Sequence, residues 1–261
     1  MQDNWSDGDS YEMYVGRWSR EVAAKFLAWL AAPAGVRWLD LGCGTGALTA
    51  CILRDGAPGS VIGVEPSEGF LSMARQRVAD ARARFRQGAA DRIPVGEGEV
   101  EVAVSGLVLN FIPDQAQAMR ELVRCVAPGG TVAAYVWDYA GHVQFMRQFW
   151  DAAVALNPKA RERDEGVRFP ICRPGPLREL FEAGGLRDVE VEAVDIATPF
   201  RDFDDYWTPF LGGVGPAPGY CVGLDDNART ALRERLRRTL PTDADGRILL
   251  AARAWAVRGT R

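Results

Sequence analysis

Apolar positions along this chain follow two different periods. Residues 19–30 (SREVAAKFLAWL) set Val22, Phe26, Leu27 and Leu30 at helical spacing, with Ser19 at the start and Pro33 and Gly35 past the end. Residues 36–41 are a short apolar strand that stops at three alternating glycines, Gly42, Gly44 and Gly46, and a helix starts over 47–53. Residues 61–65 (VIGVE) are apolar almost throughout, as a parallel strand buried on both faces should be. Ser67 caps the next helix, to about residue 79, with Glu68 in its first turn. A third strand follows at 83–87 and a fourth at 100–109. Asp114 caps a helix running through Cys125, APGG at 127–130 reads as a turn, and 131–136 is a fifth strand. Strands alternating with helices of this length predict a doubly wound, mostly parallel α/β sheet.

The second half is less regular. Residues 145–156 read as a helix, 157–170 as a charged connection and 176–183 as a short helix ended by Gly184 and Gly185. Residues 188–198 (DVEVEAVDIAT) alternate strictly, which predicts a strand with one wet face. Residues 202–211 suggest a short helix, and the glycine- and proline-rich 211–223 a flexible loop. A helix over 225–240 carries Arg229, Arg233, Arg235, Arg237 and Arg238, and 247–257 form the last strand.

Composition narrows the function. The 261 residues are 48% hydrophobic and 25% charged, ordinary for a globular chain. A net charge of −4 argues against a nucleic-acid binder, and the arginine-rich stretch, broken by Glu234, reads as a solvated face. The five cysteines, Cys43, Cys51, Cys125, Cys172 and Cys221, are odd in number and none pairs at metal-ligand spacing. With His142 the only histidine, no metal site is expected. The acidic start lacks a signal-peptide pattern and no run approaches a membrane span, so a soluble, cytoplasmic protein is expected.

The glycine turn raises the question of its ligand. GCGTGA fits a dinucleotide fingerprint, and glycines at a strand-to-helix turn let a nucleotide approach the backbone. Glu65, ending the next strand, can take both ribose hydroxyls, a feature that serves NAD and S-adenosylmethionine alike. Asp40, just before the glycines, separates the two. A carboxylate repels a pyrophosphate but favours a ligand carrying a sulfonium and an ammonium. It could instead anchor the turn's own amides, a role compatible with the first.

WLDLGCGTG (38–46) resembles the first motif of class I S-adenosylmethionine-dependent methyltransferases. VIGVEPSEGFLSMAR (61–75) resembles the second, FRQGAADRIPV (85–95) the third, and the stretch 102–135 the family's fourth strand, following helix and proline-glycine turn. The likeness covers about residues 11–137 and points to the small-molecule, UbiE-like branch. It implies a seven-stranded sheet of order 3-2-1-4-5-7-6 with the last strand antiparallel and helices on both faces. It further implies one domain over 1–261: a helical lid at 1–30, a cofactor half at 31–137, and an acceptor half at 138–261 with a cap insertion at about 199–240. By the same likeness Gly42, Cys43 and Gly44 line the cofactor through backbone groups, and Glu65 holds the ribose diol. Pro66 packs on the adenine, Ala90 offers its N–H to that ring, and Ser105 and Gly106 face the amino group. The aspartate usual after the third motif's glycine is Ala89 here, which leaves Asp91 as its substitute. Arg17, in the aromatic segment of Tyr11, Tyr14 and Trp18, is placed to pair with the methionine carboxylate.

Methyl transfer from a sulfonium asks mainly for positioning, and a base only when the acceptor must lose a proton. His142, after the fifth strand, is the candidate base. Tyr14, Trp18, Phe111, Tyr139, Tyr206 and Trp207 are the candidate acceptor contacts, the last two in an aromatic stretch, PFRDFDDYWTPFLGG, suited to a planar or apolar small molecule. Arsenite methylation, suggested by Cys172 and Cys221, and a non-catalytic cofactor-binding partner are the weaker readings, with an NAD oxidoreductase last. The acceptor and the oligomeric state are not legible.

Overall fold

The computed structural model describes residues 12–261; Tyr11, read above with the N-terminal aromatics, lies outside them. A π-helical turn, Glu12–Gly16, leads into α1 (Arg17–Leu30). Then follow β1 (Arg37–Leu41), α2 (Ala47–Asp55), β2 (Ser60–Glu65), α3 (Glu68–Arg77), β3 (Ala83–Gln87), β4 (Val100–Gly106), α4 (Gln115–Cys125) and β5 (Val126–Trp137). The remaining elements are α5 (Gln144–Leu156), α6 (Glu165–Arg168), α7 (Pro174–Ala183), β6 (Arg187–Phe200), α8 (Phe203–Trp207), α9 (Pro216–Val222), α10 (Asp226–Thr239) and β7 (Ile248–Thr260). The seven strands form one sheet in the order β3-β2-β1-β4-β5-β7-β6, as the family likeness implied.

Strands β1 to β5 pair in parallel. The direction of β7 follows from its hydrogen bonds: Gly129 and Gly130 bond Arg261, while Asp138 bonds Arg253, so partner numbers fall as β5 advances. Ion pairs Arg258–Glu190 and Arg253–Asp195 give β6 against β7 the same antiparallel sense. Burial explains the apolar runs. Leu39, Val61, Val64, Val102, Ala103, Val104, Val132 and Ala133 are all buried, while β6 turns alternate residues outward, as its sequence alternation requires.

Asp114 and Ser67 cap their helices as predicted, accepting from the amides of Gln117 (2.8 Å) and Phe70 (3.4 Å). Three expectations are corrected. The fourth strand ends at Gly106, not 109, because Leu107 adopts a left-handed φ of 61° and a short 3-10 turn follows at Leu109–Phe111. The APGG segment is a bulge inside β5, where Val126 opposes Val100 and Thr131 opposes Val102, with Gly129 at φ 79°. The segment 211–223 holds the helix α9, with Pro216 in its first turn and left-handed glycines at 213 and 215 ahead of it.

By contact density the chain forms two compact units. One, the nucleotide unit, comprises Arg20–Val136, Ile171–Val194 and Ala254–Arg261. The other, the aromatic unit, comprises the described residues up to Ser19 with Trp137–Pro170 and Asp195–Arg253.

Candidate cofactor and acceptor sites

In the nucleotide unit the chain leaves β1 through Gly42, Gly44 and Gly46, at φ of 73°, 53° and 87°. A Cβ on Gly46 would stand 2.8 Å from Val78, and one on Gly42 2.6 Å from Val108; one on Gly44 would meet nothing within 4 Å. Gly44 is therefore the open point of the turn, where a ligand can approach the backbone. The amides around it are already engaged. Those of Gly42 and Cys43 donate to the Val64 carbonyl, that of Gly46 to the Cys43 carbonyl, and that of Gly44 to Glu65 Oε2 at 3.2 Å. A pyrophosphate would find these four donors engaged, which weighs against the dinucleotide reading.

What the turn offers instead is negative charge. Asp40, 1% exposed, accepts from Thr49 Oγ1 at 2.6 Å through Oδ2, while its buried Oδ1 has no partner. Burial pushes its carboxyl up to about 7, and Glu65 adds to the rise. Glu65 is also buried and raised, chiefly by burial, against the amides of Gly44 and Ser67 that favour its charged form. Two buried carboxylates and an orphaned oxygen fit a cationic ligand and disfavour an anion. Cys43 packs its sulfur 2.9 Å from where a Cβ of Gly63 would lie, and burial beside Asp40 raises its thiol, so its side chain is structural.

The other expected cofactor positions surround the same strand ends. Ser105 is fully buried with an unpartnered hydroxyl, and Gly106 lies under the Tyr135 hydroxyl, leaving 2.6 Å for a Cβ. Pro66 is exposed and its carbonyl accepts from Gln87 Nε2 at 3.0 Å. Ala90 sits in a small bridge joining Ala89 to Arg92, and Asp91 is exposed, its carbonyl held by Gln117 Nε2 at 3.0 Å. Glu121 binds the Ile93 amide, and Arg124 binds the carbonyls of Ile93 and Val95. Gln117, Glu121 and Arg124 share one face of α4, a spacing from which this brace could have been read. Asn110, after β4, was also missed: it is buried with both amide atoms unpartnered. Phe111 beside it is half-buried.

In the aromatic unit Tyr14, Trp18, Tyr206 and Trp207 are brought together. Tyr14, Tyr206 and Trp207 all pack on Phe210, at 5.4, 5.3 and 6.3 Å, and Trp18 packs on Phe200 at 5.6 Å. The Tyr206 hydroxyl donates to the Phe145 carbonyl at 2.8 Å, which makes it a fixture of the core. The Tyr14 hydroxyl and the Trp18 indole N–H are buried and unpartnered. Arg17 pairs with Asp205 at 3.0 Å and stacks over Trp18 and Phe200, with Nε and Nη2 left unpartnered. Arg17→Ala is expected to cost about 1–2 kcal/mol through the lost stacking and part-buried pair, a fall of several degrees in a melting curve. Tyr139 is buried against Phe169, and His142 is half-buried, its backbone held by Asp138 and Arg253. The five cysteines are buried, and no group of three or more metal-ligating side chains occurs among the described residues.

Known proteins bear on this geometry. A family model described as a methyltransferase domain matches residues 39–134, the span from β1 to the body of β5. A demethylmenaquinone methyltransferase of Shouchella clausii is 29% identical over 174 residues, covering 61% of this chain and 74% of the relative. Among solved structures, the YcgJ protein of Bacillus subtilis aligns over 92% of this chain and 98% of its own, with TM-score 0.59 and 15% identity. Phosphoethanolamine N-methyltransferase 2 of Haemonchus contortus, solved with phosphomonomethylethanolamine and S-adenosylhomocysteine, aligns over 97% of this chain and 57% of its own (TM-score 0.61, 18% identity). At these identities the structural likenesses establish the fold.

Proposed function

We propose, for a chain that is a class I S-adenosylmethionine-dependent methyltransferase, that the methyl group is delivered to an oxygen, nitrogen or carbon nucleophile of a small-molecule metabolite. The observation that carries this reading is the aromatic unit. Its buried rings are lined by few polar groups, and several of those, Tyr14, Trp18 and Arg17, keep unpartnered donors. Apolar walls with a few convergent polar groups are the make-up of a small-ligand site. The net charge of −4 supports the exclusion of nucleic acid. No helix of the described residues is long and apolar enough to cross a membrane.

On the donor side, Asp40 would hold the positive end of S-adenosylmethionine and Glu65 its ribose diol, with Gly42, Cys43 and Gly44 as the close-packed floor. Pro66, Ala90 and Asp91 are assigned to the adenine, and Ser105 and Gly106 to the amino group. The bound cofactor supplies an electrophilic methyl already activated by its sulfonium charge. The protein's own task is to orient and desolvate. His142 is retained as a base only for acceptors that must lose a proton.

The test is methyl transfer from S-adenosylmethionine against a metabolite library, read by mass. A product heavier by one methyl from a small molecule is expected. Turnover confined to protein or nucleic-acid acceptors would overturn the small-molecule reading and leave the methyltransferase assignment standing.

A further inference from the structure

Within the aromatic unit, several buried hydrogen-bond donors gather around one ring. Phe200 ends β6 and is buried. The Arg17 guanidinium carbon stands 4.6 Å from the centre of that ring and 4.5 Å from that of Trp18, so the guanidinium lies against both. Trp18 in turn meets Phe200 edge-on at 5.6 Å. Thr198, two residues before Phe200, lies on the same inward face of β6 and is fully buried. Asp205 has both oxygens engaged: Oδ1 accepts from Arg17 Nη1 at 3.0 Å, and Oδ2 from the Arg201 amide at 3.0 Å. That leaves Arg17 Nε and Nη2, the Trp18 indole N–H and the Thr198 hydroxyl, all buried and without a hydrogen-bond partner among the described residues. Nε and Nη2 are the paired donors of one edge of the guanidinium, with their N–H bonds parallel. Beyond Phe200 the rings continue through Phe145, 6.2 Å from Phe200 and 6.0 Å from Tyr14.

We propose that this edge of Arg17, with the Trp18 indole and the Thr198 hydroxyl, binds the carboxylate of a small aromatic acid whose ring lies among the rings of the same unit. The inference rests on the reading of this unit as a small-ligand site and adds the charge of its ligand; it places no reacting group. Buried donors without acceptors are unfavourable, and so many of them around one ring point to an acceptor supplied from outside the chain. The donor set fixes the chemistry of that acceptor. Guanidinium and indole N–H groups donate and cannot accept, so an ammonium finds no partner on them. A carboxylate sets two coplanar oxygens against the two parallel N–H groups, and its remaining lone pairs can take the indole and the hydroxyl. The charge matches as well. Arg201 also pairs with Asp205, at 3.7 Å, so two arginines and one aspartate leave a net charge of +1. That balances a monoanion and falls short of a phosphate dianion. Contact with Trp18 and Phe200 orients the guanidinium before the ligand arrives.

The experiment uses the full chain with 2-naphthoate as the probe, titrated by calorimetry with and without saturating S-adenosylhomocysteine. Wild type is expected to bind 2-naphthoate about tenfold or more tightly than 2-naphthamide, which has nearly the same shape and no charge. Arg17→Lys keeps the cation and loses the paired donors. It should weaken naphthoate binding about tenfold and leave naphthamide binding unchanged, a split that a merely structural role would not produce. Trp18→Phe removes only the indole N–H from the set and should cost about threefold or more, which keeps the test open if the lysine variant fails to fold. Naphthoate binding should persist with S-adenosylhomocysteine bound, because the carboxylate held here is not the cofactor's. The proposal is overturned by no naphthoate binding in wild type, by equal affinity for naphthamide, or by undiminished binding in Arg17→Lys. Tighter binding of 2-naphthylmethylamine or of 2-naphthyl phosphate overturns it too. So does displacement of naphthoate by S-adenosylhomocysteine together with weaker S-adenosylhomocysteine binding in Arg17→Lys, which would give this edge to the cofactor's carboxylate. Any of these with S-adenosylhomocysteine binding intact in wild type leaves the methyltransferase reading in place; loss of that binding strikes the reading itself.

Discussion

Asp40→Asn is expected to weaken S-adenosylmethionine binding by about two orders of magnitude, and to flatten the decline of apo-protein stability between about pH 4 and pH 7. Both effects come from one oxygen pair. Oδ2 is tied to Thr49 and Oδ1 is buried with nothing to bind, so the ionised form is poorly solvated in the fold. Its carboxyl rises from the ordinary aspartate value of 3.8 to about 7. A raised carboxyl contributes stability that is complete below the unfolded pKa and lost as pH climbs through the folded one. The loss amounts to about 4 kcal/mol for a shift of this size. Asparagine keeps the acceptor for Thr49 and cannot ionise, so its share of the decline disappears. Glu165 and Glu65 are raised by burial as well and account for what remains. The exposed, arginine-paired carboxylates, such as Asp80 at about 2, act in the opposite sense and only at lower pH. A cation binds the ionised form, so wild-type affinity should fall about tenfold per pH unit below 7, until the bound-state pKa is reached. Calorimetry at about pH 5, 6, 7 and 8 with urea melts of the apo-protein reads both effects. Equal affinity in wild type and variant would show that Asp40 is only an anchor for the turn.

The turn and caps around the proposed donor side were legible because the demands there are local. A strand ending in three left-handed glycines, an acid before them and an acid ending the next strand are sequence-adjacent features, and the caps at Ser67 and Asp114 are set by hydrogen bonds within three residues. Two features escaped for the same physical reason, that burial is a long-range property. The run RERDEGVRF looks solvated, and only packing against Trp150 and the loop after β5 takes Glu165 out of water. GVGPAPGY looks like a loop, but its prolines suit a first helical turn, and α9 forms because Pro216, Ala217 and Cys221 are buried. The overlong fourth strand is a failure of a different kind. VAVSGLVL is apolar on both sides of Ser105 and Gly106, and apolarity carries no signal for the left-handed Leu107 that ends the strand.

Glu65→Ala should lower affinity for S-adenosylhomocysteine by about a hundredfold, and by the same factor for 5′-methylthioadenosine. The two ligands share the ribose diol, but 5′-methylthioadenosine carries neither ammonium nor sulfonium. Glu65 stands at the end of β2 with one oxygen accepting from Gly44 and the other from Ser67. Each oxygen retains a second lone pair, so the carboxylate can take both diol hydroxyls without giving up the amides that fix it. Two charge-assisted hydrogen bonds of about 1.5 kcal/mol each supply the predicted factor. Asp40→Asn provides the contrast: it should cost affinity for S-adenosylhomocysteine, whose ammonium remains, and leave 5′-methylthioadenosine binding nearly unchanged. Together the variants split recognition into a charge and a diol, one carboxylate for each. Because Glu65 also holds the Gly44 amide, its removal could loosen the turn rather than delete a ligand contact. Glu65→Gln separates these cases, since the amide oxygen keeps one backbone bond and one diol bond and should retain intermediate affinity. A loss in Glu65→Ala confined to S-adenosylhomocysteine would mean that Glu65 reads the charged end of the ligand, and would dissolve the division of labour between the two acids.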